Sequence, residues 1–274
     1  MEGFRPPAVA GSFYPAVADT LRSQLTEYLA LPGWRSCAPR ALVVPHAGYA
    51  YSGPVAASGY RTLGRYRNRY SRVIVIGPAH RVPVRGIAVS GADAFRTPLG
   101  DVPVDARLRE LATMLPNVNV SDLAHEAEHC IEVQLPFLQM CLEEFTILPL
   151  LTGSASAEDV AELLSELWGG PETLIIVSTD LSHNHTLGTA RVFDAETARA
   201  ILALNPRVIG DRGACGAVAL NGLLLLAAER GMSVRKLDLR TSADMGGDER
   251  RVVGYGAFAF CLSVRCAEEA RADG

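Results

Sequence analysis

Apolar and polar residues alternate along the chain in blocks that predict an α/β fold. Short β-branched runs predict buried strands at 41–44, 72–76, 146–150, 173–177 and 253–260. Helical spacing predicts a first helix after an N-cap at Asp19, then helices at 131–145 (continuous from near Pro136), 157–167, 190–204 and 217–230. This alternation predicts a central, mostly parallel or mixed sheet with helices on both faces.

No Gly/Ser- or Pro-rich linker divides the sequence, so we expect one domain over residues 1–274, with a polar, frayed tail at 267–274. A hydrophobic content of 49% is sufficient for a core that buries a polar site. The net charge of -4, without a basic cluster, argues against nucleic acid as a partner. The longest apolar stretch, 220–228, is too short for a membrane span and no signal peptide is evident, so we expect a cytoplasmic protein.

Three predicted strands are each followed closely by residues that can bind a metal. His46 follows the first strand and His80 the second, while Asp180 and His183 follow the fourth. In open α/β sheets, ligands bind in the crevice at the carboxyl ends of the strands. A lone histidine in such a place is more commonly a hydrogen-bonded loop residue, but three such strand ends together predict a metal-binding pocket. Asp180 and His183 also have a spacing that suits a proton-handling pair.

The six cysteines form no CxxC pair, and in a reducing cytoplasm we expect most of them to be free thiols. Cys215 lies directly before an apolar helix, whose N-terminal amides favour a thiolate. It is therefore the fifth candidate for the pocket.

A second metal pattern lies in His125-Glu-Ala-Glu-His129, which matches the spacing of a zinc-binding helix. The pattern precedes the predicted apolar helix instead of lying inside it, which favours a structural role. His185 has no such context, and we expect it in an exposed loop.

The sequence resembles the Memo family (the AmmeMemoRadiSam system protein B group), and the matching motifs run in family order from near the first residue to about residue 260. They are Ala10-Gly-Ser-Phe-Tyr-Pro15, Pro45-His-Ala-Gly-Tyr49 with Tyr51-Ser-Gly53, Gly77-Pro-Ala-His80, Phe95-Arg-Thr-Pro-Leu99, Glu128-His129 with Glu132-Val-Gln-Leu-Pro136, Ser178-Thr-Asp-Leu-Ser-His183, Cys215-Gly216 and Gly254-Tyr255.

This resemblance implies a fold similar to class III extradiol (LigB-like) dioxygenases, which hold ferrous iron with two histidines and a carboxylate. It places the metal ligands on His46, His80 and Cys215, with the cysteine in place of the carboxylate. It also places a catalytic acid and base on Asp180 and His183. A thiolate is softer and more easily oxidised than a carboxylate, so we expect weak or absent catechol cleavage.

Aromatic and arginine side chains are candidates for substrate binding, namely Phe13, Tyr51, Phe95 and Arg96. The resemblance adds His129, which falls on a further family histidine. Two departures weaken any transfer of peptide-binding roles from animal members. Phe13 replaces a family tryptophan, and no extra histidine follows the cysteine loop.

Three functions remain open at this stage. The first is a metal-dependent oxidoreductase that uses Fe(II) or Cu, with Zn as a further possible ion. The second is a non-catalytic module that binds a peptide, a small molecule or a partner protein in the same pocket. The third is a zinc-dependent hydrolase. The family label also suggests a pathway link to a radical-SAM enzyme and an AMMECR-type protein.

Overall fold

Within residues 3–34 and 37–262, which the computed structural model describes, nine of twelve strands pair into one mixed sheet. In chain order the strands are β1 (Phe4–Arg5), β2 (Ala41–Val44), β3 (Arg72–Pro78), β4 (Ile87–Val89), β5 (Ala94–Thr97), β6 (Gly100–Pro103), β7 (Val118–Val120), β8 (Thr146–Thr152), β9 (Thr173–Ser178), β10 (His183–His185), β11 (Met232–Thr241) and β12 (Val252–Leu262). The large sheet has the order β10-β12-β2-β9-β3-β8-β4-β7, and β11 pairs with β12. The pairs β2–β9, β9–β3 and β3–β8 are parallel, whereas β12 runs antiparallel to β2.

Helices cover both faces of this sheet. They are α1 (Ala18–Leu29), α2 (Tyr49–Tyr60), α3 (Ala106–Thr113), α4 (Asp122–Glu126), α5 (Leu135–Cys141), α6 (Ala157–Glu166), α7 (Leu187–Leu202) and α8 (Ala217–Glu229). Single 3₁₀ segments occupy Arg61–Tyr66, Glu132–Gln134, Pro206–Val208 and Ser242–Met245. A smaller sheet of β1, β5 and β6 packs beside them.

Successive residues of β2 show how the two helical layers arise. Leu42 belongs to the apolar cluster that contains Leu25 of α1, whereas Val43 belongs to the opposite cluster with Leu220 of α8. Because successive side chains of a strand point to opposite faces, a strand that is apolar throughout needs helices on both sides. The predicted fold class, a mixed sheet between two helical layers, is confirmed.

The strand predictions agree with the structure to within two residues at each end, but three helical features differ. The first helix has Val17, not Asp19, at its N-cap, and no side chain caps it. The helix α2 was not predicted, because its Gly53, Pro54 and Gly59 are typical of turns. Its helical conformation is stabilised by packing, since nine of its twelve residues are buried. The helix expected near Pro136 begins at Leu135 and ends early, at Cys141, where Leu142 becomes extended.

Cys37 and Cys261 form a disulfide, with their Cα atoms 6.4 Å apart. Cys130, Cys141 and Cys215 are free thiols, as most cysteines were expected to be. Among the described residues, no helix combines the length and apolarity needed to cross a bilayer. The predicted frayed tail at 267–274 lies outside the described residues.

Candidate metal centre

Three potential ligands meet at the carboxyl ends of the parallel strands. His46 follows β2, His80 follows β3, and Cys215 lies before α8 and beside the end of β9. One donor atom from each lies within 4.8 Å of the others. Cys215 Sγ is 3.3 Å from His46 Nε2, and the two imidazole ring centres are 5.1 Å apart. The structure therefore brings together the three residues that the sequence singled out as ligands.

His46 is held from two sides and is only 2% exposed. Its backbone N–H donates to Asp180 Oδ1 at 2.8 Å, and its ring Nδ1 lies 3.0 Å from Ser178 Oγ. Burial lowers the pKa of His46 to about 4, although Asp180 opposes the shift. At neutral pH the imidazole is therefore uncharged, which is the form that binds a metal.

His80 is held by Glu128, a residue whose role the sequence did not reveal. Glu128 Oε2 accepts a hydrogen bond from the His80 backbone at 2.6 Å, and Oε1 lies 3.0 Å from the His80 Nδ1. Burial alone would raise the pKa of Glu128, but its hydrogen bonds with His129 and His80 outweigh burial and hold the pKa well below its usual range. Because the carboxylate of Glu128 contacts Nδ1, the Nε2 atom of His80 is left to bind a metal. The place of Glu128 in the Glu128-His129 pair was the signal that could have identified it.

His129 lies over His46 and His80, which together with Cys215 form the candidate ligand cluster. Its ring stacks on His80 at 4.8 Å and meets His46 edge-on at 5.3 Å, while Phe13 packs against it at 4.7 Å. Its Nδ1 lies 3.1 Å from Glu128 Oε1. Phe13 and His129, two of the candidate substrate-binding residues, thus lie beside the ligand cluster.

Cys215 is protonated in the metal-free protein, and the predicted thiolate is wrong for that state. Burial, reinforced by Asp180, raises the pKa of Cys215 to about 12. These effects outweigh the amides at the start of α8. Gly216 permits this burial, because a Cβ there would lie 2.8 Å from the Thr179 Cβ. A metal at this position would have to displace the thiol proton.

Asp180 and His183 have different hydrogen-bond partners. Asp180 is 4% exposed, and its carboxylate accepts from His46 while its carbonyl accepts from the Cys215 backbone at 3.2 Å. His183 Nδ1 donates to the Leu181 carbonyl at 2.9 Å, which leaves Nε2 as a proton acceptor. The backbone, instead of Asp180, therefore orients His183.

Asp194 of α7 holds the backbone next to His183, and no sequence motif pointed to this residue. Its Oδ1 accepts from the Ser182 backbone at 3.0 Å, and burial raises the pKa of this carboxyl. Gly254 of β12 lies against it, because a Cβ at this glycine would meet Asp194 Oδ2 at 2.0 Å. Asp194 and Gly254 thus fix the backbone that carries His183.

The remaining candidates for substrate binding lie in other surroundings. Tyr51 is on α2 and is 46% exposed. Phe95 is buried against the His125 ring at 5.9 Å. Arg96 pairs with Asp101 at 2.7 Å and stacks on Phe4 at 3.5 Å, in the small sheet. Phe95 and Arg96 thus contact neighbours outside the ligand cluster. A role in substrate binding stays a prediction for all three residues.

The His125–His129 pattern does not form a zinc-binding helix. The helix α4 ends at Glu126, so the two histidines do not share a helical face. His125 is 1% exposed with Nε2 3.3 Å from the Ala88 carbonyl, whereas His129 lies against His46 and beside the ligand cluster. His185, expected in an exposed loop, instead lies in β10 and packs on Phe193 at 4.9 Å.

The donor set fits a soft or borderline transition metal. Two neutral imidazoles and a thiolate suit Fe, Cu or Zn better than Mg or Ca. His80, Glu128 and His129 form a second group with equally close atoms. It is the poorer site, because Glu128 already receives hydrogen bonds from the backbone N–H groups of His80, His129 and Cys130.

Comparisons with known proteins agree with these motifs. The model of the Memo-like protein family matches residues 5–259. Proteins described as MEMO1 family proteins are similar to 92% of this chain over 97% of their own length, with 37% identity in Thermotoga maritima, 34% in Aquifex aeolicus and 35% in Methanosarcina mazei. The crystal structure of an uncharacterized protein from Escherichia coli K12 aligns with 78% of this chain and 98% of its own, at 17% identity and a TM-score of 0.49.

Proposed function

The chain belongs to the Memo family, and from that premise we propose that it is a metal-dependent oxidoreductase that holds iron or copper through His46, His80 and Cys215. The observation that carries the proposal is the convergence of these three donors within 4.8 Å of one another, on residues whose other contacts orient them. When bound, such an ion supplies one-electron redox and Lewis-acid chemistry.

The residues of this chain have separate tasks in the proposed reaction. Glu128 orients His80, and Asp180 anchors the backbone of both His46 and Cys215. His183, with Nδ1 committed to a carbonyl, is the base that accepts a substrate proton at Nε2. Phe13 and His129 offer rings that a planar or apolar small molecule would contact.

We also propose partners and a location, which rest on the sequence and on the family resemblance. We assign a small molecule or peptide as the substrate class and a cytoplasmic location. We also assign a place in a pathway with a radical-SAM enzyme and an AMMECR-type protein, which the family resemblance suggested.

Metal analysis of anaerobically purified protein tests the ligand assignment. We expect about one iron or copper ion for each wild-type chain, and less than about a tenth of that in Cys215→Ser and His46→Ala, because a site with three protein ligands loses most of its affinity with any one of them. Cys141→Ser is the matched control, since Cys141 is another buried free thiol, on α5. Metal retained in both site variants would overturn the assignment.

Redox cycling tests the chemistry. Electron paramagnetic resonance of the loaded protein should show that the bound ion is reduced by dithionite and reoxidised by air, with little or no catechol cleavage. An ion that resists cycling, or zinc retained with esterase turnover, would replace the proposal with the zinc hydrolase. A protein that takes up no metal would favour the non-catalytic binding module.

A further inference from the structure

A buried chain of hydrogen bonds leads from the helical layer to His46. Tyr60 donates its hydroxyl hydrogen to Gln134 Oε1 at 2.9 Å. Gln134 Nε2 donates to Ser178 Oγ at 2.8 Å, and Ser178 Oγ lies 3.0 Å from His46 Nδ1. Tyr60, Gln134 and Ser178 are 0% exposed. Solvent therefore cannot replace any partner in the chain.

Two backbone carbonyls fix the direction of every hydrogen bond in this chain, because a carbonyl can only accept. The Pro45 carbonyl lies 3.0 Å from Gln134 Nε2, so this side of the amide must be the NH₂ group. The Cys130 carbonyl lies 2.6 Å from Ser178 Oγ, so the single hydroxyl hydrogen of Ser178 points there. The amide and hydroxyl orientations follow from these two contacts alone.

Ser178 Oγ can then only accept from His46. It has given its hydrogen to Cys130 and receives one from Gln134, so its remaining lone pair faces His46 Nδ1. A neutral imidazole carries one hydrogen, and this geometry places that hydrogen on Nδ1. The bare nitrogen is Nε2, which lies 3.3 Å from Cys215 Sγ.

We propose that Ser178 and Gln134 are positioning residues for His46, locking its Nδ1–H tautomer so that Nε2 faces the metal. The inference rests on the proposed metal function but makes its own claim about the metal-free protein. The other tautomer would set the Nδ1 lone pair against a lone pair of Ser178, with no room for reorientation in the buried chain. It would also place a hydrogen on the nitrogen that has to bind the metal.

The fold brings Ser178 and Gln134, two motif residues outside the ligand set, to the ring of His46. Ser178 is the last residue of β9 and pairs with Val44 of β2, so the strand register places its hydroxyl beside His46. Gln134 lies directly before α5, which begins at Leu135. Helix and sheet thus converge on one ring nitrogen.

Nitrogen-15 NMR of histidine-labelled, metal-free protein reads the tautomer directly. We expect the His46 resonances, assigned with His46→Gln, to show a protonated Nδ1 and a bare Nε2. Ser178→Ala should give a mixture of tautomers, and Ser178→Thr, which keeps the hydroxyl, should restore the wild-type signal. Gln134→Met should give a smaller population of the second tautomer than Ser178→Ala does. A wild-type His46 with its hydrogen on Nε2, or an unchanged signal in Ser178→Ala, would overturn the proposal.

Anaerobic titration with Co²⁺ against a chelator separates this proposal from the metal function itself. We expect Ser178→Ala to lower Co²⁺ affinity about 10-fold, in the range for a residue that orients a ligand. Ser90→Ala is the matched control, because Ser90 is a 1% exposed serine that follows β4 and bonds to Asp122. Unchanged affinity in Ser178→Ala would overturn the positioning role. Loss of Co²⁺ binding in wild type, with the tautomer as expected, would overturn only the metal function.

Discussion

The two histidine ligands of the proposed centre are oriented by opposite kinds of acceptor. In the neutral half (His46, Ser178, Gln134), an uncharged hydroxyl receives the imidazole hydrogen, and all three residues are at most 2% exposed. In the charged half (His80, Glu128, His129), a carboxylate does so, and the His80 side chain is 29% exposed. Two chemically identical ligands are thus held by different physical means.

The difference follows from where each half lies in the fold. The neutral half lies against adjacent strands, where a charge would have no solvent and would require a partner. In the charged half, Glu128 and His129 lie in the loop after α4, where the backbone N–H groups of His129 and Cys130 compensate the carboxylate. A carboxylate makes its histidine a stronger donor than a hydroxyl does. We therefore expect the charged half to contribute more to metal affinity and the neutral half to pH sensitivity.

The largest effect on metal affinity should come from Glu128→Gln in the charged half. The substitution keeps the shape of the side chain but places an NH₂ group where only acceptors fit, since Glu128 receives hydrogen bonds at both oxygens. We expect Co²⁺ affinity to fall about 10- to 100-fold, as is usual when the partner of a ligand histidine is lost.

Glu126→Gln provides the control for this measurement. Glu126 is exposed and two residues away, so the same change of charge should leave affinity within about twofold, because exposed charges are screened. Equal losses in both variants would mean that net charge, and not the orientation of His80, governs affinity. The comparison of the two halves would then be wrong.

A second effect should appear in the pH dependence of the free energy of unfolding of the metal-free protein. Burial lowers the pKa of His46 and of His125 to about 4. The unfolded chain binds a proton at each histidine below about pH 6.5, whereas the folded chain does not until about pH 4. The contribution of these two histidines to the free energy of unfolding is therefore fully present above about pH 6.5 and is lost as the pH falls toward 4.

We expect the free energy of unfolding to fall by roughly 2 kcal/mol for each of these two histidines between pH 7.5 and pH 5. Urea unfolding of wild type and His125→Gln measures the two contributions. His125 lies outside the ligand cluster, so its variant should lose about half of the dependence, and the half that remains belongs to His46. A variant with the full pH dependence would contradict the assignment, as would a wild type with none.

The two histidines of the candidate pocket were predictable from the sequence because their positions depend on a general property of parallel sheets, whereas the ligand role of Cys215 came from the family resemblance. His46 and His80 follow buried apolar runs, and the carboxyl ends of parallel strands meet at one edge. The five predicted strands were found for the same reason, since their apolar residues reflect burial on both faces.

The roles of the orienting partners were not predictable, although Ser178 and Glu128 both stand in the family-like motifs, because these roles depend on tertiary packing. Ser178 is 132 residues from His46, and only strand register brings the two together. Glu128 depends on a turn after α4 that its local pattern did not predict. The protonation of Cys215 depends on burial, which opposes the local effect of the helix N-terminus. Local patterns placed the two histidines and the family resemblance completed the ligand set, but neither predicted what holds the ligands.

The smallest effect should come from Phe13→Leu, which tests whether the aromatic stack or the carboxylate holds the charged half. Phe13 contacts the His129 ring at 4.7 Å, and His129 is not one of the three proposed ligands. Loss of the ring contact should lower the free energy of unfolding by about 0.5–1.5 kcal/mol in urea, the usual value of an aromatic pair. Co²⁺ affinity should stay within about twofold, because Glu128 still orients His80. A tenfold loss of affinity would show instead that the stack of Phe13 on His129 positions His80, and the charged half would then depend on packing as much as the neutral half does.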